Sequence, residues 1–250
     1  MQDYVNWFNF MSYDIHGTWD STSKFTGPYI RPHTNWTEIS LGLDLLWRAG
    51  VTPDKVTLGL GWYGRSFTLS DETCVTPNGV CMFSAGGDPG ECTQSAGTLS
   101  NAGKSSNLCY SRAAWQNFCT EIFAIIDEYS LEPTYDDAAA VNWVFWGDSQ
   151  WVSYDDGNSM QVKLARANAL VGFQTRADLC LHTDKIKCLG GTMIWSIDQD
   201  NSNGDSMADF LGISATNGNT AEETAELKAQ YAVATTATAV QTSCYWSFCG

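Results

Sequence analysis

VNWFNFMSY, residues Val5 to Tyr13, is almost wholly apolar and aromatic, the composition of a strand buried on both faces in a parallel sheet. A loop rich in Gly, Thr and Trp follows. From Thr37 to Ala49 the pattern Ile39, Leu41, Leu43, Leu45 and Leu46, closed by Gly50, predicts a helix with a glycine C-terminus. Val56 to Tyr63, VTLGLGWY, is again strand-like. Strand, helix and strand joined by short connections make a βαβ unit, which sets the fold class as α/β with parallel strands.

Beyond Gly64 the chain is rich in Cys, Gly and Ser through Cys109. Ala113 to Tyr129 then places Trp115, Phe118, Ile122, Ile125 and Ile126 at helical spacing, and two aromatic strands are predicted at Ala139–Trp146 and Gln150–Tyr154. Residues 64–155 are therefore expected to form a small α+β insertion closed by disulfides. Ser159 to Leu170 returns to helix, and Gly190 to Ile197, GGTMIWSI, is one more buried strand. Past Ile213 the composition is Ala, Thr and Glu, a linker over 214–250 that ends in the short CYWSFCG of a cysteine-rich segment.

Composition narrows the function classes. With 13 Lys and Arg against 28 Asp and Glu, the formal charge is -15, so nucleic acid and an anionic membrane surface are repelled. No stretch approaches the roughly 18 apolar residues of a bilayer span. The nine cysteines are Cys74, Cys81, Cys92, Cys109, Cys119, Cys180, Cys188, Cys244 and Cys249. None makes a Cys-x-x-Cys pair with a matching Cys or His pair, which favours disulfides in an oxidising, extracellular compartment over a zinc site. An odd count leaves one thiol with no internal partner or with a partner outside the chain. No leader precedes the first strand: Met1 opens directly onto QDYVNWFNF, so either maturation has removed a signal peptide or the N-terminal part lies elsewhere.

Three strings, FMSYDIHGTWD at Phe10–Asp20, LGLGWYGRSFTL at Leu58–Leu69 and GGTMIWSIDQD at Gly190–Asp200, together resemble glycoside hydrolase family 18, in particular its fungal chitinases. The resemblance covers residues 1–213. It implies a (β/α)8 TIM barrel of which this chain holds strands six to eight: residues 1–63 with strands six and seven, 64–155 as the α+β insertion domain, and 156–213 with a barrel helix, strand eight and the last helix. Barrel active sites sit at the C-terminal ends of the strands, so Tyr13, Asp14, Tyr63, Arg65 and Trp195 should face one pocket.

The activity implied by the resemblance is retaining, substrate-assisted hydrolysis of β-1,4-linked N-acetylglucosamine polymers, with chitin or a chitooligosaccharide as partner and no cofactor. Tyr13 would hydrogen-bond the attacking acetamido carbonyl and Asp14 would bind near the reacting sugar. Met11 would line the pocket, Trp195 would be the stacking floor, Tyr63 and Arg65 would contact neighbouring sugars, and Trp19 would extend the site. Most of the 11 Trp must still be packing; Trp7, Trp47 and Trp143 are assigned to core. Asp198 and Asp200 are assigned as caps rather than as a calcium loop. His16, His33 and His182 form no ligand cluster, and no metal is expected. Asn35-Trp36-Thr37 is a glycosylation sequon.

The family's acid lies in an Asp-x-x-Asp-x-Asp-x-Glu pattern on strand four, and no Glu of this chain has that spacing. This chain alone is therefore expected to be catalytically incompetent. Three strands cannot close a barrel, so poor solubility is expected in isolation. Val171 to Lys187 is longer than the family's connection before strand eight, as a retained intron would make it. Two alternatives share the motifs: a non-catalytic chitin-binding lectin of the same fold, and an endo-N-acetylglucosaminidase acting on N-glycans.

Overall fold

The computed structural model describes residues 2–101, 121–172, 188–200 and 210. Three parallel strands, β1 (Phe8–Phe10), β2 (Val56–Gly61) and β9 (Gly191–Trp195), form one sheet in the order β1-β2-β9. Leu58 is in register with Phe10 on one side and Thr192 on the other. Between β2 and β9 the chain builds a second sheet of six antiparallel strands: β3 (Tyr63–Leu69), β4 (Phe83–Gly86), β5 (Thr98–Ser100), β6 (Thr134–Asp136), β7 (Val141–Trp146) and β8 (Gln150–Tyr154). Only Trp62 separates β2 from β3. One run of chain thus serves both sheets.

Helix α1 (Trp36–Arg48) connects β1 to β2. It starts where Asn35 accepts a hydrogen bond from the Thr37 amide at 3.0 Å, a cap that contributes about 1 kcal/mol. Ile39 and Leu43 are buried and pack with Val56, Leu58, Leu60, Trp62 and Met160 of α3 (Gly157–Gly172). Leu41 and Leu45 face outward, because at 100° per residue they lie on the flank away from that contact. Asp156 begins α3 by accepting from the Ser159 amide at 2.8 Å, while the Ser159 hydroxyl accepts from the Asp156 amide at 3.0 Å. Helix α2 (Ile122–Glu128) packs Ile122 and Ile125 on Val144 and Val152 of the antiparallel sheet.

Several expectations need correction. The predicted strand Val5–Tyr13 is paired only over Phe8–Phe10 and is not buried on both faces; Val5, Trp7 and Met11 are exposed. Among the described residues β1 pairs with β2 alone, so no second neighbour covers its other edge. Trp7 is consequently a surface residue, whereas Trp47 and Trp143 pack partly buried against core clusters. The predicted strand Val56–Tyr63 divides at Trp62, and Tyr63 opens the antiparallel sheet instead of closing the parallel one. The helix predicted from Ala113 is described only from Ile122. Residues 173–187 of the long connection, His182, the cysteines other than Cys74, Cys81, Cys92 and Cys188, and the segment 214–250 lie outside the described residues.

Cys74 and Cys81 form a disulfide that closes the loop between β3 and β4, and Cys92 and Cys188 are also disulfide-bonded. No described helix is long and apolar enough to cross a membrane.

Candidate active site

The residues that follow the C-terminal ends of β1 and β2 meet in one cluster. Tyr13 and Asp14 come just after β1, Tyr63 and Arg65 just after β2, and Trp195 is the last residue of β9. The Tyr13 ring lies across β2 because position 59 is glycine: a Cβ there would stand 2.9 Å from the Tyr13 ring and 2.7 Å from the Phe10 carbonyl oxygen. Ser12 fixes the same crossing by donating to the Gly59 carbonyl at 2.6 Å.

Asp14 is the hub. Its Oδ1 accepts from the Tyr63 hydroxyl at 2.7 Å, from Arg65 Nε at 2.8 Å and from Arg65 Nη2 at 2.8 Å. Burial works against the charge, but the hydrogen bond from the Tyr63 hydroxyl and the Arg65 guanidinium outweigh it and hold the carboxyl well below the usual carboxylate range. Asp14 is therefore an anion at any working pH. Tyr63, buried and bonded to that anion, has its pKa pushed far up and stays a neutral donor. Tyr13 is raised as well, by burial first and by Asp14 second. Among the described residues the Tyr13 hydroxyl meets only the Met193 thioether at 3.7 Å, a weak acceptor, so a stronger acceptor brought to it would be preferred.

The Arg65 guanidinium carbon lies 5.1 Å from the centre of the Trp19 ring and 5.3 Å from that of Tyr63, and Nη1 also donates to Thr98 Oγ1. These contacts join Trp19 to the cluster. Trp19 reaches it by folding over Gly17, where a Cβ would stand 2.3 Å from the indole. Behind it His16, buried, bridges Asp20 Oδ2 at 2.7 Å and Glu38 Oε2 at 2.9 Å, tying the Trp19 turn to α1.

Trp195 shares the strand end, paired in register with Gly61, and its carbonyl accepts from the Trp62 amide at 2.9 Å. Its side chain is 57% exposed, a free aromatic face. Met11 is 67% exposed just beyond β1. Among the described residues no hydrogen bond, ion pair or ring contact joins either side chain to the Asp14 hub, in which Asp14 binds Tyr63 and Arg65, Trp19 lies against Arg65 and the Tyr13 ring meets that of Tyr63 edge-on. Ser196 caps the turn Ile197–Gln199 and its hydroxyl donates to Asp198; the helix that Asp198 and Asp200 are expected to cap lies outside the described residues. Among the described residues no group of His, Cys, Asp and Glu is arranged to hold a metal. A cavity of about 600 Å³ beside Gly191 and Thr192 lies at the opposite end of β9 and contains none of these residues.

Sequence reasoning missed His33 and His16 as parts of the site. His16 was within reach, since His16 and Asp20 stand four residues apart in one motif; His33 carries no local signal.

The sequence model for glycosyl hydrolases family 18 matches residues 1–200. The probable chitinase LysM11 of Penicillium expansum is 37% identical over 113 residues, covering 41% of this chain and 10% of that protein. The secreted chitinase LysM12 of the same fungus is 36% identical over 109 residues, covering 39% and 7%. The Ostrinia furnacalis Group IV chitinase, solved in complex with allosamidin, superimposes with a TM-score of 0.58 at 26% identity over 84% of this chain and 49% of its own. The chain thus spans a tenth or less of these fungal relatives and about half of the insect chain. With the family match running from the first strand through the turn after the last, this chain belongs to glycosyl hydrolase family 18.

Proposed function

We propose that the chain is the C-terminal part of the (β/α)8 catalytic domain of a secreted chitinase, with β1, β2 and β9 as barrel strands six, seven and eight. Residues 1–63 and 156–213 then belong to the barrel, 64–155 to the α+β insertion and 214–250 to a linker with the start of a cysteine-rich segment. The substrate class is β-1,4-linked N-acetylglucosamine. The observation that carries this reading is the hydrogen-bonded convergence of Asp14, Tyr63 and Arg65 at one end of the parallel strands, with the Tyr13 ring centred 6.1 Å from that of Tyr63 and exposed indoles beside it.

Each group has a part that its environment suits. The Tyr13 phenol, held protonated, donates to the acetamido carbonyl that attacks the anomeric carbon; in-line holding of this kind contributes on the order of several kcal/mol. Anionic Asp14 sets Tyr63 and Arg65 and accepts from the reacting sugar. Pyranose C–H faces stack on the free face of Trp195 and on Trp19, Met11 lines the wall, and Arg65 and Tyr63 bind the next sugar. The proton donor to the glycosidic oxygen is supplied from strand four, so this chain alone binds oligosaccharide without cleaving it.

Calorimetric titration with chitotetraose, followed by product analysis, tests the reading. Binding without cleavage is expected, with loss of binding in Trp195→Ala and Asp14→Ala. Arg65→Lys should also weaken binding several-fold, because an ammonium cannot reproduce the two guanidinium contacts to Asp14 Oδ1. Cleavage by the chain alone would overturn the assignment of the acid elsewhere, and unchanged binding in both alanine variants would overturn the site. The lectin reading predicts that the complete protein also binds without cleaving, and the N-glycan reading predicts release from a glycoprotein in preference to chitin oligomers.

A further inference from the structure

His33 lies outside the motifs at the strand ends, yet it is completely buried directly behind Asp14. Its Nδ1 is 3.3 Å from the backbone nitrogen of Asp14 and 3.7 Å from Asp14 Oδ1, and its Nε2 is 3.0 Å from the carbonyl oxygen of Tyr63. These partners fix the tautomer. A carbonyl can only accept, so Nε2 carries the hydrogen; a backbone amide can only donate, so Nδ1 presents its lone pair. Burial pushes the pKa of His33 down, in keeping with a neutral ring.

What the imidazole holds is an unusual backbone. Asp14 has φ of 58°, in the left-handed region that residues other than glycine rarely adopt. That turn aims the Asp14 carboxylate at Tyr63 and Arg65. The ring of His33 also packs at 4.8 Å from that of Tyr63, and the next residue is anchored because the Thr34 hydroxyl accepts from the buried Lys163 ammonium at 3.2 Å. One rigid ring therefore grips two strand ends at once, the amide after β1 and the carbonyl that opens β3.

We propose that His33 is a positioning residue for oligosaccharide binding: as a neutral Nε2–H imidazole it accepts from the Asp14 amide, keeps that residue in its left-handed turn, and so presents the Asp14 carboxylate to Tyr63, Arg65 and the sugar. The sugar clause rests on the function proposed above. The geometric clause does not.

The test uses the full chain, labelled with nitrogen-15, and the variants His33→Asn, His33→Gln and His33→Leu. In the unaltered chain, His33 Nδ1 should resonate as an unprotonated nitrogen and show scalar coupling to the Asp14 amide nitrogen across the hydrogen bond. The oxygen of an Asn amide can take the place of Nδ1, whereas a Gln amide reaches only the place of Nε2. His33→Asn should therefore leave the Asp14 amide resonance near its original position and retain chitotetraose affinity within about threefold, while His33→Gln loses roughly tenfold, on the scale of one weakened hydrogen-bond arrangement. If His33→Leu does not fold, the Asn and Gln pair still decides the matter. A protonated Nδ1, or Asn and Gln variants with equal Asp14 shifts and equal affinities, would overturn the proposal. Should the unaltered chain show the coupling but bind no chitotetraose, the function proposed above fails while the grip of His33 on Asp14 stands.

Discussion

Lys163 and Asp155 offer the sharpest test of how this fold is held. Both side chains are essentially buried, at 2% and 1% exposure, and their ion pair also leans on neutral groups: the Lys163 ammonium donates to Thr34 Oγ1, and Asp155 Oδ1 accepts from the Ser159 hydroxyl at 2.7 Å. Among the described residues Asp155 Oδ2 has no hydrogen-bond partner. Lys163→Met would fit the space but leave a carboxylate in the interior with a single hydroxyl for company. Removing one partner of a buried pair costs about 3–5 kcal/mol; at roughly 2–4 °C per kcal/mol for a domain of this size, the melting temperature should fall by roughly 6–20 °C. Near-ultraviolet circular dichroism during heating reads this, with buried Trp62 and Trp151 as reporters. The double variant Lys163→Met, Asp155→Leu removes both charges and should recover much of the loss. Asp155→Asn should behave differently with pH. Burial already pushes the Lys163 pKa down, and without its carboxylate the amine is pushed further. The folded state then binds fewer protons than the unfolded one, so this variant gains stability as pH rises toward the ordinary lysine value. A fall of less than about 1 kcal/mol in Lys163→Met, or a double variant worse than either single one, would refute the picture of an interior charge pair.

His16 predicts a second pH dependence. Burial lowers its pKa, but the bonds to Glu38 and Asp20 outweigh burial and leave it raised. Its stabilising contribution should be complete below the ordinary histidine value and disappear as pH rises through the raised one; the difference in melting temperature between the unaltered chain and His16→Gln should shrink over that interval. Joint replacement of Cys74 and Cys81 by alanine, opening a loop with a sequence separation of 7, should cost about 2 kcal/mol by denaturant unfolding. No change would show that the loop is already held by the packing of Cys81 with Ile30 and Phe67.

The sequence made the site legible wherever function sits in one motif. Tyr13 and Asp14 stand side by side, as do the alternate positions Tyr63 and Arg65, and each pair follows an apolar run whose end is visible. The α/β order was legible for the same reason, since strand, helix and strand differ in hydrophobic period. Burial was harder. Val5 to Tyr13 is apolar enough for two covered faces, but whether a strand has a neighbour on its far edge is a property of the sheet, not of the strand. Leu41 and Leu45 are exposed for a like reason, because a leucine-rich helix does not reveal which of its flanks is occupied. His33 was illegible for a third reason: its two partners are 19 and 30 residues away, and only folding turns the three into neighbours.

The uninterrupted passage from Val56 to Leu69 sets the phase of both sheets at once. Side chains along an extended chain alternate sides with a period of two, so the single residue Trp62 decides which way Tyr63 and Arg65 point relative to Gly59 and Gly61. Deleting or duplicating one residue there would preserve every strand's composition while sending the tyrosine and arginine to the wrong side, leaving Asp14 without either partner. Length between Leu60 and Arg65 is thus as tightly constrained as the identities of the residues themselves.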